Sequence, residues 1–272
     1  MQKRHLNRIQ YFNEQRESTQ KYVIPYIQRH KKLDENCRVL EIGCGEGGNL
    51  YPFAEVGCQC YGVEIQQKQI NNAVEYYRKT SIKKQITFLC QNIYDTTPQQ
   101  LDGKFDVIFL RDVIEHIPNQ EKFMDFLKDF LLPDGVVFFA FPPWHNPFGG
   151  HQQICKSKFL SHLPYFHLLP QKLYKYILQK SGEGTGLLNI RLTGISIARF
   201  ERILKTENYR ILEKTSWLFN PNYQVKYGLP PTKVWKIFQI PYLQDFYTTA
   251  MYYVIENRCS PCATLREVVS NS

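Results

Sequence analysis

The chain has 272 residues, 43% hydrophobic and 22% charged, ample to bury the core of one large α/β domain with no second catalytic domain implied. Its formal charge of +9 is spread along the sequence without an arginine-rich block, so a solvated basic surface accounts for most of the lysines and nucleic acid is not the expected partner. No uninterrupted apolar run reaches the ~18 residues that span a bilayer, and the first residues lack a signal-peptide apolar stretch; a cytoplasmic protein with reduced thiols is expected.

Short apolar runs alternate with amphipathic segments, the pattern of a sheet with helices on both faces. Residues 1–36 read as a helical N-terminal segment, with the helix over about 5–32. Strands follow near 37–42, 58–64, 86–92, 105–110 and 135–141, separated by helices near 47–56, 67–80 and 119–131. The last of these helices carries Phe123, Phe126, Leu127 and Phe130 at helical spacing, the stripe of a core-facing helix. Beyond a long insertion, 195–208 reads as a helix, 209–219 as a strand and 250–256 as the last strand. The main domain then spans 37–257, with insertions at about 143–194 and 220–249 and a tail over 258–272. Repeats and low-complexity tracts are absent from the sequence.

The densest signal is Val39-Leu-Glu-Ile-Gly-Cys-Gly-Glu-Gly-Gly-Asn-Leu50, a buried strand running into a glycine-rich turn that opens a helix. Gly43, Gly45 and Gly47 let the backbone turn tightly and approach a ligand, and the following helix presents unpaired N–H groups to it. Glu64 ends the next apolar run, where a carboxylate can accept both hydroxyls of a ribose. The glycines alone are ambiguous, because Gly43, Gly45 and Gly48 also fit the G-x-G-x-x-G spacing of dinucleotide-binding proteins.

With Glu41 two residues ahead of Gly43, the stretch resembles motif I of class I S-adenosylmethionine-dependent methyltransferases. The segment 101–118, ending Arg-Asp-Val-Ile-Glu-His-Ile-Pro, is similar to that family's fourth strand and loop. Leu132-Pro-Asp-Gly-Val-Val-Phe-Phe-Ala-Phe-Pro142 is similar to its fifth strand, entered through a Pro-Asp-Gly turn. The resemblance covers roughly residues 37–142. It implies a Rossmann-like, seven-stranded, mostly parallel sheet whose last strand is antiparallel between the fifth and sixth, with lid-like insertions after strands five and six. It also implies S-adenosylmethionine as cofactor. Gly43, Cys44, Gly45 and Gly47 then face the methionine part. Glu41 either positions the methionine ammonium or only orders the loop. Glu64 takes the ribose, with Ile65 beside it. Asn92 stands where the family usually has an Asp for the adenine amino group, and Ile93 lies against the ring. Arg111 and Asp112 border the pocket.

If the acceptor is a hydroxyl, a base must remove its proton, and His116 in the loop after the fourth strand leads, with His145 and His151 next. Phe141-Pro-Pro-Trp144 departs from the signature of base-modifying amine methyltransferases, since Phe141 cannot hold a target amine and the motif follows the fifth strand. The Arg-Asp-Val-Ile-Glu-His-Ile-Pro loop is similar to that of small-molecule methyltransferases acting on quinone precursors, which implies a small, lipophilic or aromatic acceptor methylated on O, N or C. The aromatic, lysine-dotted segments 163–180 and 229–253 read as a lid, and equally as a peripheral membrane contact or a homodimer interface of an otherwise monomeric protein. Cys259-Ser-Pro-Cys262 has half the spacing of a zinc site without a second half, so no metal ligands are expected. A nicotinamide-dependent oxidoreductase and a non-catalytic cofactor-fold protein are the two rivals.

Overall fold

In the computed structural model, residues 7–184 and 186–258 are described. The strands are β1 (Arg38–Ile42), β2 (Gln59–Glu64), β3 (Ile86–Cys90), β4 (Phe105–Arg111), β5 (Leu131–Phe141), β6 (Tyr209–Phe219), β7 (Thr232–Lys233) and β8 (Ala250–Asn257). They form one sheet in the order β3-β2-β1-β4-β5-β8-β6-β7. From β3 to β5 all pairings are parallel, and β8 lies antiparallel between β5 and β6. The seven expected strands and the expected reversal are thus present, with the two-residue β7 added at the edge beyond β6.

Parallel strands covered on both faces have no polar side, which is why β4 and β5 read as almost unbroken apolar runs. Their side chains still alternate. Val107 and Phe109 join the core on one face, Ile108 and Leu110 the core on the other. The first core is roofed by α1 (Arg8–Ser18), α2 (Ile24–Gln28), α3 (Leu50–Glu55) and α4 (Gln67–Tyr77), through Phe12, Ile27, Phe53 and Ile70. On the opposite face α5 (Gln120–Leu127) contributes the expected Phe123 and Leu127. The insertion after β5 adds α6 (Lys158–His162), α7 (Gln171–Lys180) and α8 (Gly186–Thr193), which wrap a small core of their own around Phe166, Tyr174 and Leu178. Then α9 (Ile197–Thr206) returns to the main core through Phe200 and Ile203, and α10 (Pro221–Tyr227) follows β6.

Three expectations need correction. The N-terminal helix is not continuous over 5–32: a π-helical turn, Thr19–Val23, separates α1 from α2, and Pro25 sits in the first turn of α2. Pro133-Asp134-Gly135 is not a turn ahead of a strand. Strand β5 starts at Leu131, and the tripeptide forms an irregularity, with pairing moving from Phe105↔Leu131 to Val107↔Val136. Lys31 holds it in place by ion pairs to Asp134 and Asp106. The helix expected over 47–56 begins only at Leu50, because the glycine turn occupies the residues before it. Residues 5 and 6, the tail after Arg258 and the Cys259/Cys262 pair lie outside the described residues. Cys37, Cys44, Cys58, Cys60, Cys90 and Cys155 are free thiols. Among the described residues no helix is long and apolar enough to cross a membrane.

Candidate active site

The turn after β1 uses left-handed backbone that favours glycine. Gly43 and Gly45 have φ of +70° and +55°, and a Cβ on them would stand 2.7 Å from a methyl of Val113 and 2.8 Å from Gln69 Oε1. The amides of Gly43 and Cys44 donate to the Val63 carbonyl at 2.8 and 3.2 Å, lashing the turn to β2. Parallel register then brings Glu64 alongside. Its carboxylate accepts from the Gly45 amide at 3.1 Å and the Gln66 amide at 2.9 Å, leaving lone pairs on both oxygens for a ligand.

Two adjoining hollows open at this carboxyl end of the sheet and share Gly43, Glu64, Val113 and His116. One, of about 350 Å³, is a largely apolar slot between Ile65, Ile93 and Ile117, with Asn92 on its wall. The Asn92 carboxamide oxygen already accepts from the Tyr94 amide at 3.2 Å, with its second lone pair available. The other, of about 440 Å³, is polar and lined by Gly45, Gln69, Arg111 and Asp112. An apolar slot, a carboxylate at the junction and a polar chamber beyond suit the adenine, ribose and amino-acid parts of an adenosyl ligand in that order. Asp112, at the rim, has φ of +55° and donates its amide to the Ala140 carbonyl at 2.8 Å.

Of the residues expected at the cofactor, Glu41, Cys44 and Gly47 line neither hollow. The Cys44 sulfur packs over Gly62, and the Gly47 carbonyl accepts from the Tyr77 hydroxyl at 2.6 Å, so both belong to the underside of the turn. Glu41 is buried there too. Its Oε1 accepts from Asn49 at 2.7 Å and its Oε2 has no partner. Burial, opposed by that hydrogen bond and by the Arg111 charge, pushes its pKa from 4.5 to about 8. The carboxyl is therefore mostly neutral in the fold at pH 7, whereas in the unfolded chain it ionises near 4.5. The fold's advantage is complete below 4.5 and is lost as pH rises toward 8. Glu41→Gln is accordingly expected to match the parent at pH 5 and to be about 2–4 kcal/mol more stable at pH 8, in denaturant titrations of the cofactor-free protein. Equal stabilities at pH 8 would mean that the carboxyl ionises without penalty.

Arg111 is buried behind the same turn. One guanidinium nitrogen donates to Ser18 Oγ, Thr19 Oγ1 and Asn49 Oδ1 at 3.0–3.1 Å, and the other to Asn222. One side chain thus ties the N-terminal helices, the glycine turn and α10 to the end of β4. The same helices supply residues that no motif announces: Arg8, Tyr11 and Gln15 of α1 wall the polar hollow, and Arg8 pairs with Glu46 inside the glycine turn. The N-terminal segment reads as helical, but α1 is polar on all sides in sequence and carries no apolar stripe to mark which face is buried.

Beyond the junction, the structure brings together two of the three expected base candidates. His116 and His151 stand edge to face with ring centroids 4.9 Å apart, and His151 Nε2 lies 3.8 Å from Glu115 Oε1. Burial, with the Asp112 charge second, raises the Glu115 pKa well above its ordinary range, and neither of its oxygens accepts a hydrogen bond within the protein. Burial lowers the His116 pKa against the opposing pull of Asp112. His151 is lowered to about 4 by burial, then by the neighbouring His116 and His167. Both rings are neutral at pH 7. Glu115, His116 and His151 each offer one ligand atom within 4.8 Å of the others, and among the described residues this is the one such grouping able to hold a cation. Sequence spacing gave no hint of it, because His151 arrives from the insertion. That insertion is clasped to the loop: Thr193 Oγ1 donates to the Glu115 carbonyl at 2.6 Å, and Gln120 bridges the Ile114 and Thr193 carbonyls. His145 is elsewhere, bound to Asp245 at 3.0 Å and stacked on Phe246.

A mostly parallel sheet with β8 reversed between β5 and β6, a glycine turn after β1 and a carboxylate ending β2 are the arrangement of a class I S-adenosylmethionine-dependent methyltransferase. The chain belongs to the methyltransferase domain family, whose model matches residues 12–168. The ubiquinone biosynthesis O-methyltransferase of Rickettsia canadensis (strain McKiel) is 27% identical over 119 residues, covering 44% of this chain and 48% of that protein. The chain thus matches about half the length of these curated relatives. Among solved structures, a S-adenosylmethionine-dependent methyltransferase from Clostridium acetobutylicum gives a TM-score of 0.54 at 13% identity, covering 89% of this chain and 91% of that one. The magnesium protoporphyrin IX methyltransferase of Synechocystis PCC 6803, solved with bound S-adenosylhomocysteine, gives 0.51 at 18% identity, covering 88% and 82%. At these identities the likeness is one of fold.

Proposed function

We propose that this protein methylates a hydroxyl oxygen of a small aromatic or lipophilic acceptor, with His116 taking the hydroxyl proton. The observation that carries the reading is the position of His116: it lines both hollows and faces the neutral His151. Bound S-adenosylmethionine supplies an electrophilic methyl on a positive sulfur, so the protein's task is alignment and proton removal. Glu64 holds the ribose hydroxyls, Asn92 accepts from the adenine amino group, and Ile65 and Ile93 sandwich the ring. Gly43 and Gly45 bring backbone to the methionine part, with Arg111 and Asp112 at its border. A phenolic oxygen must shed its proton as it takes the methyl, and a neutral imidazole accepts it at pH 7. The O-methyltransferase name of the curated relatives supports oxygen as the acceptor atom. The free, mostly buried thiols support a reducing compartment such as the cytoplasm.

The Glu115, His116 and His151 grouping favours one second reading, in which a divalent cation held there acidifies the acceptor hydroxyl. One experiment separates them. Turnover of a panel of catechols and hydroquinones is followed by release of S-adenosylhomocysteine, with and without chelator. Methyl ethers formed at a chelator-insensitive rate support the imidazole. Loss of rate restored by magnesium supports the cation, and methyl groups found only on nitrogen or carbon overturn both.

A further inference from the structure

Between β7 and β8 the chain runs Trp235-Lys-Ile-Phe-Gln-Ile-Pro-Tyr-Leu243, nine consecutive exposed residues, six of them large and apolar. Trp235, Ile237 and Tyr242 are 69%, 73% and 75% exposed. The segment is nonetheless pinned at both ends. Val234 is buried, with its amide on the Ser216 carbonyl at 2.9 Å. The Tyr247 hydroxyl donates to the Phe238 carbonyl, and buried Asp245 holds His145 and the Ile197 amide. A fixed loop that turns its aromatic and aliphatic side chains outward needs a covering.

The charge around it says what kind. Residues 214–244 contain four lysines and no acid; Lys214 is paired with Glu201 at 2.8 Å, while Lys233 and Lys236 flank Trp235 on the exposed surface. Asp245, the next acid, is buried and already paired. Beneath Trp235 and Phe238 lies an apolar hollow of about 380 Å³. Exposed Trp and Tyr beside aliphatic wedges and lysines are the composition that settles at the headgroup level of an anionic bilayer. Glu201, the acid beside Tyr242, is already engaged by Lys214 and the Tyr253 hydroxyl, so a second copy of this face would set Lys233 and Lys236 against their own kind. The segment also enters β8 at Ala250, where Met251 pairs with Phe141, so it lies at the same end of the sheet as the glycine turn.

We propose that the face formed by residues 235–243 docks on the surface of an anionic phospholipid membrane. This holds whatever the acceptor. The test is co-sedimentation of the full chain with vesicles of phosphatidylcholine alone or with a third of phosphatidylglycerol, alongside Trp235→Ser/Ile237→Ser and Lys233→Glu/Lys236→Glu. Binding is expected to anionic vesicles, to weaken with salt, and to fall about tenfold or more in each double variant while S-adenosylhomocysteine affinity is unchanged. Retained binding in both variants would overturn the proposal by moving the contact elsewhere. So would no binding at either composition, and a concentration-dependent dimer lost in the same variants would assign the face to self-association.

Discussion

Glu64→Ala is expected to weaken S-adenosylhomocysteine binding by about a hundredfold or more, since two hydrogen bonds to a charged acceptor contribute about 1.5–3 kcal/mol each. The carboxylate has a second task in the protein alone, receiving the Gly45 and Gln66 amides, so alanine both removes the ribose partner and loosens the turn. Glu64→Gln distinguishes the two. Its amide nitrogen must face one of those backbone donors, so it too loses affinity, by about tenfold, but with one acceptor kept. Calorimetric titration of the three proteins reads this directly. Affinity within threefold of the parent in the alanine variant would remove Glu64 from the ribose site.

His116→Ala is expected to lower kcat by about 10²–10⁴, the usual worth of a positioned base. His151 lines neither cofactor hollow, so His151→Ala should leave S-adenosylhomocysteine affinity unchanged while lowering kcat. The pH profile carries the mechanism. A base must be neutral to work, and burial holds His116 below the ordinary 6.5 and His151 at about 4. The rate should therefore be level through neutrality and fall only below pH 6.5. An acid limb above pH 7 would exclude both imidazoles as the base. Stability follows the same sign: the unfolded chain protonates His151 near 6.5 and the folded one near 4, so its contribution is present above 6.5 and lost as pH falls toward 4.

The sheet was legible because buried parallel strands leave apolar runs that nothing else in an α/β chain imitates, and β1, β2, β4 and β8 were read nearly to the residue. The start of β5 was misread for a physical reason. Pro133, Asp134 and Gly135 are strong turn residues, but pairing at Leu131 and the ion pairs from Lys31 keep them in the strand as an irregularity. The turn at Gly43 and Gly45 was legible because its left-handed backbone favours glycine, and Glu64 because its distance from that turn is set by one helix and the strand that follows it. Arg8, Tyr11 and Gln15 were not, since α1 carries no apolar stripe to mark its buried face. The pairing of His116 with His151 was equally out of reach, being made by the clasp of Thr193 and Gln120 across an insertion.

The knot around Arg111 is made wholly of distant contacts. Its partners lie 62 to 111 positions away along the chain, at Ser18, Thr19 and Asn49 before it and at Asn222 of α10 after it. Ser18 and Thr19 leave the ribosome long before Arg111 exists to receive them, and Asn222 comes later still. The contacts of Ser18 and Thr19 with Arg111 can therefore close only once β4 is in place, a long-range pairing of the kind that slows folding. A chain shortened at residue 36 would look tidy as a domain and yet lack a wall of its own ligand chamber.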